Sequence, residues 1–172
     1  MARRYFAYGS NLCATQMGAR CPAAREGEPV ALPGWRFIIN QRGVATLVPD
    51  PAEQVWGLLW QLTPACERTL DRYEGVARGF YRKEEMEVGG EPALVYLAAE
   101  HRPGTPREGY LEGILNACAA RGIDPAYLAG LRCWAGADTH SPSTHPTQSA
   151  TRSVQSRPPS RFMRMSPPIL YG

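Results

Sequence analysis

Hydrophobic and polar positions divide this chain into short segments that mostly alternate like strands, with a few stretches of helical period. Tyr5-Phe6-Ala7-Tyr8 is aromatic or small without a breaker and predicts an opening strand. Val30–Leu32 and Trp35–Asn40 predict two further strands, split by the turn dipeptide Pro33-Gly34. Gly43–Val48 reads as another short strand, ended by Pro49-Asp50-Pro51. Val55–Leu62 is apolar on both faces and so predicts a central strand. Gly57 within it marks a bulge or the close approach of another backbone. Tyr81–Val88 and Ala93–Leu97 predict a hairpin joined at Gly89-Gly90.

Helices are expected at four places. One is short and lies around Leu12–Ala19, with Ser10 and Asn11 as candidate N-caps. The second runs from Pro64 to about Tyr73, capped by Thr63 and closed by Gly75. The third follows a capping box, Thr105 to Glu108, and carries Leu111, Ile114, Leu115 and Cys118 before Gly122. The fourth starts at Asp124-Pro125 and reaches about Trp134. Connections between strands are too short for a regular array of parallel strands and helices. The expected class is therefore α+β, a mixed and mostly antiparallel sheet or barrel with helices outside.

From Ala137 the character changes to Ser, Thr, Pro and Arg without apolar periodicity. This divides the chain into an expected domain over 1–136 and a disordered tail over 137–172. The tail is either a basic interaction segment or a stretch with no selected role. Its His140 and His145 read as solvated.

Charge sharpens that division. Residues 1–136 hold 15 Lys+Arg and 15 Asp+Glu, and the net +3 comes from the four arginines that follow, set against Asp138. A neutral body argues against nucleic acid as its partner. The five cysteines form no C-x-x-C and no cluster with His at metal spacing, so free thiols in a reducing cytoplasm are expected. Met1-Ala2-Arg3-Arg4 leads straight into a strand, so no signal peptide is expected, and no apolar run is long enough to span a membrane.

The candidate chemistry gathers at two stretches. In Tyr5–Leu12 a strand passes through Gly9 into a helix N-terminus, an arrangement that turns backbone N–H groups toward one spot. Such a spot suits a carboxylate or phosphate, which Tyr8, Ser10 and Asn11 could orient. The second is Glu74, in Asp71-Arg72-Tyr73-Glu74-Gly75-Val76 at the end of a helix. There the negative end of the helix dipole raises a carboxylate pKa, which suits a group that takes and returns a proton near neutral pH. An exposed glutamate of no consequence is the plain alternative for Glu74, and a packed turn is the plain alternative for the corner. Cys13 lies near the corner, but the body's sole histidine, His101, sits in a Pro/Gly-rich loop, which argues against thiol catalysis. No P-loop, dinucleotide or G-x-S-x-G motif is present.

Taken together, Y-F-A-Y-G-S-N-L, Gly43-Val44-Ala45-Thr46, Val55–Trp60, the L-D-x-x-E-G segment ending at Gly75, Tyr81 and Tyr110 resemble the gamma-glutamylcyclotransferase family, also called AIG2-like, over about residues 3–134. The resemblance implies a small mixed, mostly antiparallel β-barrel with flanking helices. It implies Glu74 as the catalytic acid/base. It also implies a substrate-binding set of Tyr5, Phe6, Ala7, Tyr8, Gly9, Ser10 and Asn11, with Tyr81 and Tyr110 lining the pocket. The implied reaction closes a gamma-glutamyl amino acid or amine to 5-oxoproline and frees the amine, with no cofactor and no metal. The expected partner is that small molecule, with no nucleic acid or membrane, and the chain a monomer or homodimer. Two readings stay beside it: an enzyme on the same scaffold acting on other gamma-glutamyl compounds, and a non-catalytic module that binds a small carboxylate.

Overall fold

The first strand of the chain lies in the middle of its sheet. In the computed structural model, which describes residues 2–136, strand β1 (Arg3–Ala7) is flanked by β3 (Ala45–Leu62) and β5 (Glu91–Ala98) in a five-stranded sheet of order β2-β3-β1-β5-β4. Three of the four pairings are antiparallel; β1 and β5 run parallel, in register at Tyr5 and Leu94. Flanked on both sides, the strand is buried over Tyr5–Ala7, which is why those residues alternate no polar residue. The expected tail over 137–172 lies outside the described residues.

Two expectations about strand boundaries are corrected. Val30–Leu32 and Trp35–Asn40 belong to one strand, β2 (Arg25–Ile39), and the segments on either side of Pro49-Asp50-Pro51 belong to one strand, β3. The turn residues do not end the strands because they fall in a bulge. Pro33 pairs with Gln54 and Trp35 with Pro49, so residues 50–53 bulge out opposite Gly34. Gly34 takes φ +81° to allow it. A bulge is where a strand tolerates proline, since no ladder bond is asked of it there.

The barrel is also corrected, to an open sheet. β2 and β4 (Tyr81–Val88) are its two edges, with no ladder between them among the described residues. β4 presents Arg82, Glu85 and Glu87 to solvent, and an edge guarded by charge resists further pairing.

Gly57 shows why one central strand can cross another so closely. A Cβ there would sit 2.5 Å from the Ala7 carbonyl oxygen and 2.5 Å from the Phe6 ring, so only glycine fits. The helices cover the sheet. α1 spans Ala14–Arg20, α2 Pro64–Glu74, α3 Tyr110–Ala119 and α4 Pro125–Leu131. As the sequence implies, Thr63 caps α2 by accepting from the Cys66 N–H, and Asp124 caps α4 by accepting from the Ala126 N–H.

Two expected caps are not formed. α3 begins at Tyr110, behind Gly109 at φ +68°, and not at Pro106. The segment before it folds back instead onto the turn after β2: Gly104 N–H donates to Ile39 O and Arg107 N–H to Gly43 O. Ser10 and Asn11 cap no helix with their side chains; they lie in a 3-10 turn, Ser10–Leu12, entered through Gly9. Their side chains are engaged elsewhere, in the site.

Candidate active site

β1 and α2 bring the two candidate stretches together. The Asn11 amide donates to Glu74 Oε1 at 3.1 Å and to Tyr5 Oη at 2.8 Å. Asn11 is buried, and its backbone is held at a second point, where Trp60 Nε1 donates to the backbone carbonyl oxygen at 3.1 Å. Arg20, the last residue of α1, donates to the Asn11 side-chain oxygen and to the Tyr73 hydroxyl. It also donates to Ser10 Oγ at 3.2 Å and Gln16 Oε1 at 2.8 Å, and lies 3.6 Å over the Tyr73 ring.

Glu74 stands at the last turn of α2, half-buried. Gly75 ends the helix in the left-handed region, with φ +68° and its N–H bonded back to Arg72 and Asp71 carbonyls. Burial pushes the Glu74 carboxyl above the ordinary carboxylate value, while the Arg20 charge and the Asn11 hydrogen bond pull the other way. Burial is thus the larger influence.

Two adjoining cavities meet at this carboxylate. The inner one, about 30 Å³, is lined by Tyr5, Tyr8, Gly9, Ser10, Asn11, Ala45, Glu74, Tyr81, Tyr96 and Tyr110. Four of those tyrosines touch its frame directly. Tyr110 Oη accepts from the Ala45 N–H at 3.1 Å and is also faced by the Ser10 N–H. Tyr81 Oη donates to Ala45 O at 3.3 Å, Tyr8 Oη donates to Tyr96 O, and Tyr96 Oη donates to Asp71 at 2.7 Å. Burial holds the hydroxyls of Tyr5, Tyr8, Tyr81 and Tyr110 above the usual tyrosine value, so they stay protonated donors.

The outer cavity, about 300 Å³, shares Ser10, Glu74, Tyr81 and Tyr110 with the inner one and adds Arg20, Arg42, Arg78, Phe80 and Arg107. Among the described residues Glu74 is the one acid lining it. No group of three or more His, Cys, Asp or Glu among the described residues could hold a metal ion, and none of their helices is long and apolar enough to cross a membrane.

The sequence-derived residues are therefore mostly gathered at one place. Tyr5, Tyr8, Gly9, Ser10, Asn11, Glu74, Tyr81 and Tyr110 all line the inner cavity. Phe6 and Ala7 line neither; they are buried against Gly57. Backbone donors at the corner are fewer than the sequence suggests, because the N–H groups of Leu12 and Cys13 close the 3-10 turn on Gly9 O and Ser10 O. Arg20, Arg42, Arg78 and Arg107 were not singled out. They come from four separate segments, and only the summed charge of a neutral body is visible along the chain.

An open α+β sheet that presents one carboxylate of raised pKa to a tyrosine-framed recess has a geometry suited to moving protons on a small molecule. The comparisons with known proteins narrow that reading. The model of the AIG2-like family matches residues 54–131. The human gamma-glutamylcyclotransferase is 26% identical over 143 residues, covering 74% of this chain and 76% of its own length, and the mouse protein matches to the same extent. A solved gamma-glutamyl cyclotransferase structure superimposes with a TM-score of 0.73 at 25% identity, covering 82% of this chain and 92% of its own. The chain is thus similar to gamma-glutamylcyclotransferases over about three quarters of its length, and to the AIG2-like family over residues 54–131.

Proposed function

We propose that this protein is a gamma-glutamylcyclotransferase in which Glu74 moves the protons and the inner cavity receives one polar group of the glutamyl head. The observation that carries the reading is the contact of Glu74, a carboxylate with pKa raised by burial, with Asn11 at the edge of a recess the size of one small polar group. The substrate's alpha-amino nitrogen forms a bond to its own gamma-carbon, and the amide C–N bond breaks. The alpha-ammonium loses two protons and the departing nitrogen gains two, so the reaction balances without water or a co-reactant. Glu74 accepts from the first nitrogen and delivers to the second in turn, a task suited to a carboxyl whose pKa lies above its usual range.

The developing oxyanion and the alpha-carboxylate need donors. The hydroxyls of Tyr5 and Tyr110, whose oxygens accept from Asn11 and from the Ala45 N–H, keep their own protons to offer. Because attack is intramolecular, holding the chain curled lowers the barrier by several kcal/mol on its own. Arg20 and Asn11 act as positioning residues, holding the carboxylate by charge and hydrogen bond. One chain supplies every residue of the site, so a monomer or a homodimer would serve. Five free cysteines agree with a cytoplasmic location.

A non-catalytic carboxylate-binding module would have no use for an acid poised in this way, and it is not favoured. The test is 5-oxoproline release from a panel of gamma-glutamyl amino acids and amines. Release supports the reading; binding without release would move it to the module.

A further inference from the structure

The outer cavity holds more positive charge than the cyclisation uses. Arg20 is engaged with Ser10, Asn11, Gln16 and Tyr73. Arg42, Arg78 and Arg107 are different. Among the described residues, none of the three forms an ion pair with a carboxylate. Arg42 and Arg78 lie over the Phe80 ring, 4.3 Å and 4.7 Å from its centroid. Arg107 donates through Nε to the Arg42 carbonyl oxygen at 2.8 Å. An aromatic face offsets part of the charge but leaves the N–H fork of each guanidinium without an acid.

Backbone constraints hold this wall in place. Gly43, at φ +74°, has no room for a Cβ, which would meet Arg107 Cγ at 2.7 Å, and its carbonyl accepts from the Arg107 N–H at 3.1 Å. Gly75, next to Glu74, is closed in the same way, since a Cβ would meet Phe80 at 2.8 Å and the Arg78 guanidinium at 3.2 Å. Like charges gathered on one rim repel, and an entering anion relieves that cost. A guanidinium matches a carboxylate through two parallel hydrogen bonds, so three of them can take more than one carboxylate.

We propose that Arg42, Arg78 and Arg107 form a leaving-group subsite that selects gamma-glutamyl dipeptides whose second residue is acidic, so that the amine departs as aspartate or glutamate. This rests on the cyclotransferase reading above and assigns the other half of its substrate. The reacting bonds are unchanged: the lactam C–N bond forms, the amide C–N bond breaks, and the protons pass through Glu74. The two carboxylates of the departing amino acid meet the arginine wall, and a neutral amine leaves that wall uncompensated.

The test measures 5-oxoproline release by the full chain from gamma-glutamyl-aspartate, gamma-glutamyl-glutamate, gamma-glutamyl-alanine and gamma-glutamyl-methylamide. The acidic dipeptides are expected to exceed gamma-glutamyl-alanine in kcat/KM by about tenfold or more, with the gap shrinking as salt is raised. Arg42→Gln and Arg78→Gln, checked for folding by circular dichroism, are expected to bring that ratio toward one. Equal kcat/KM for acidic and neutral dipeptides overturns the subsite while the cyclotransferase reading stands; so does a ratio that neither variant changes. If no compound yields 5-oxoproline, the cyclotransferase reading fails, and calorimetry on wild type then decides the subsite. Tighter binding of gamma-glutamyl-aspartate than of gamma-glutamyl-alanine supports it, and equal binding overturns it.

Discussion

The Asn11 amide nitrogen lies 3.1 Å from the Glu74 carboxylate oxygen, though the two residues are 63 positions apart in the chain. The bond stabilises the charged form of an acid that burial drives toward the neutral form. The protonation state of Glu74 is thus set by a contest between solvent exclusion and one oriented amide assisted by Arg20.

Glu74→Gln keeps the size and polarity of the side chain and removes the exchangeable proton. We expect it to retain substrate binding and to lose turnover by about 100- to 10,000-fold, the range for a removed general acid-base. Steady-state release of 5-oxoproline alongside calorimetric binding would check this. A variant with turnover near wild type would exclude Glu74 as the proton carrier.

Removing the amide moves the contest in one direction. Asn11→Ala takes away a hydrogen bond that lowers the Glu74 pKa, so the pKa should climb further. If the carboxylate is the form that starts the reaction, the acidic limb of the kcat/KM profile moves to higher pH. An unshifted limb would sink the assignment of Asn11 as a positioning residue.

The same acid links stability to pH. Its folded-state pKa is raised above the unfolded value, so the protonated form favours folding. That contribution is fully present below the unfolded value of about 4.3 and is lost as pH rises through the folded pKa. Glu74→Gln carries no such charge. It should be more stable than wild type at neutral pH, and the difference should close as the pH falls toward 4. Denaturant midpoints across that pH range read the sign directly.

Gly57→Ala should destabilise the sheet by about 1–3 kcal/mol or more, because the new methyl strikes Ala7 O and the Phe6 ring. Both obstacles sit on β1, so the strain should reach the Gly9–Leu12 turn and lower kcat as well. A thermal melt and a KM-against-kcat comparison would separate the two effects.

Much of this was legible along the chain wherever the signal was local. Thr63-Pro64, Gly75, Gly89-Gly90 and Asp124-Pro125 carry their geometry in two residues, and each stands where expected. Glu74 could be named because it shares a string with Gly75 and Asp71. What escaped was decided across the sheet. Pro33-Gly34 and Pro49-Asp50-Pro51 look like strand ends, yet both strands continue past them because residues 50–53 bulge out opposite Gly34. Thr105-Pro106-Arg107-Glu108 has the composition of a helix start, but its backbone bonds to the Ile39–Gly43 turn. The arginines of the outer cavity were hidden for the same reason, since no sequence window contains more than one of the three that face it without an acid.

The central seat of β1 governs when the site can exist. Tyr5 is in register with Trp60 on one side and Leu94 on the other. The β2–β3 and β4–β5 hairpins are local and can close by themselves, but the strand that joins them must wait for both. As the polypeptide emerges from a ribosome, the opening residues remain without one neighbour until about residue 98 has appeared. The turn that follows β1 is therefore seated late in folding, and a chain halted before β5 would have its glutamate helix and no recess for the helix to face.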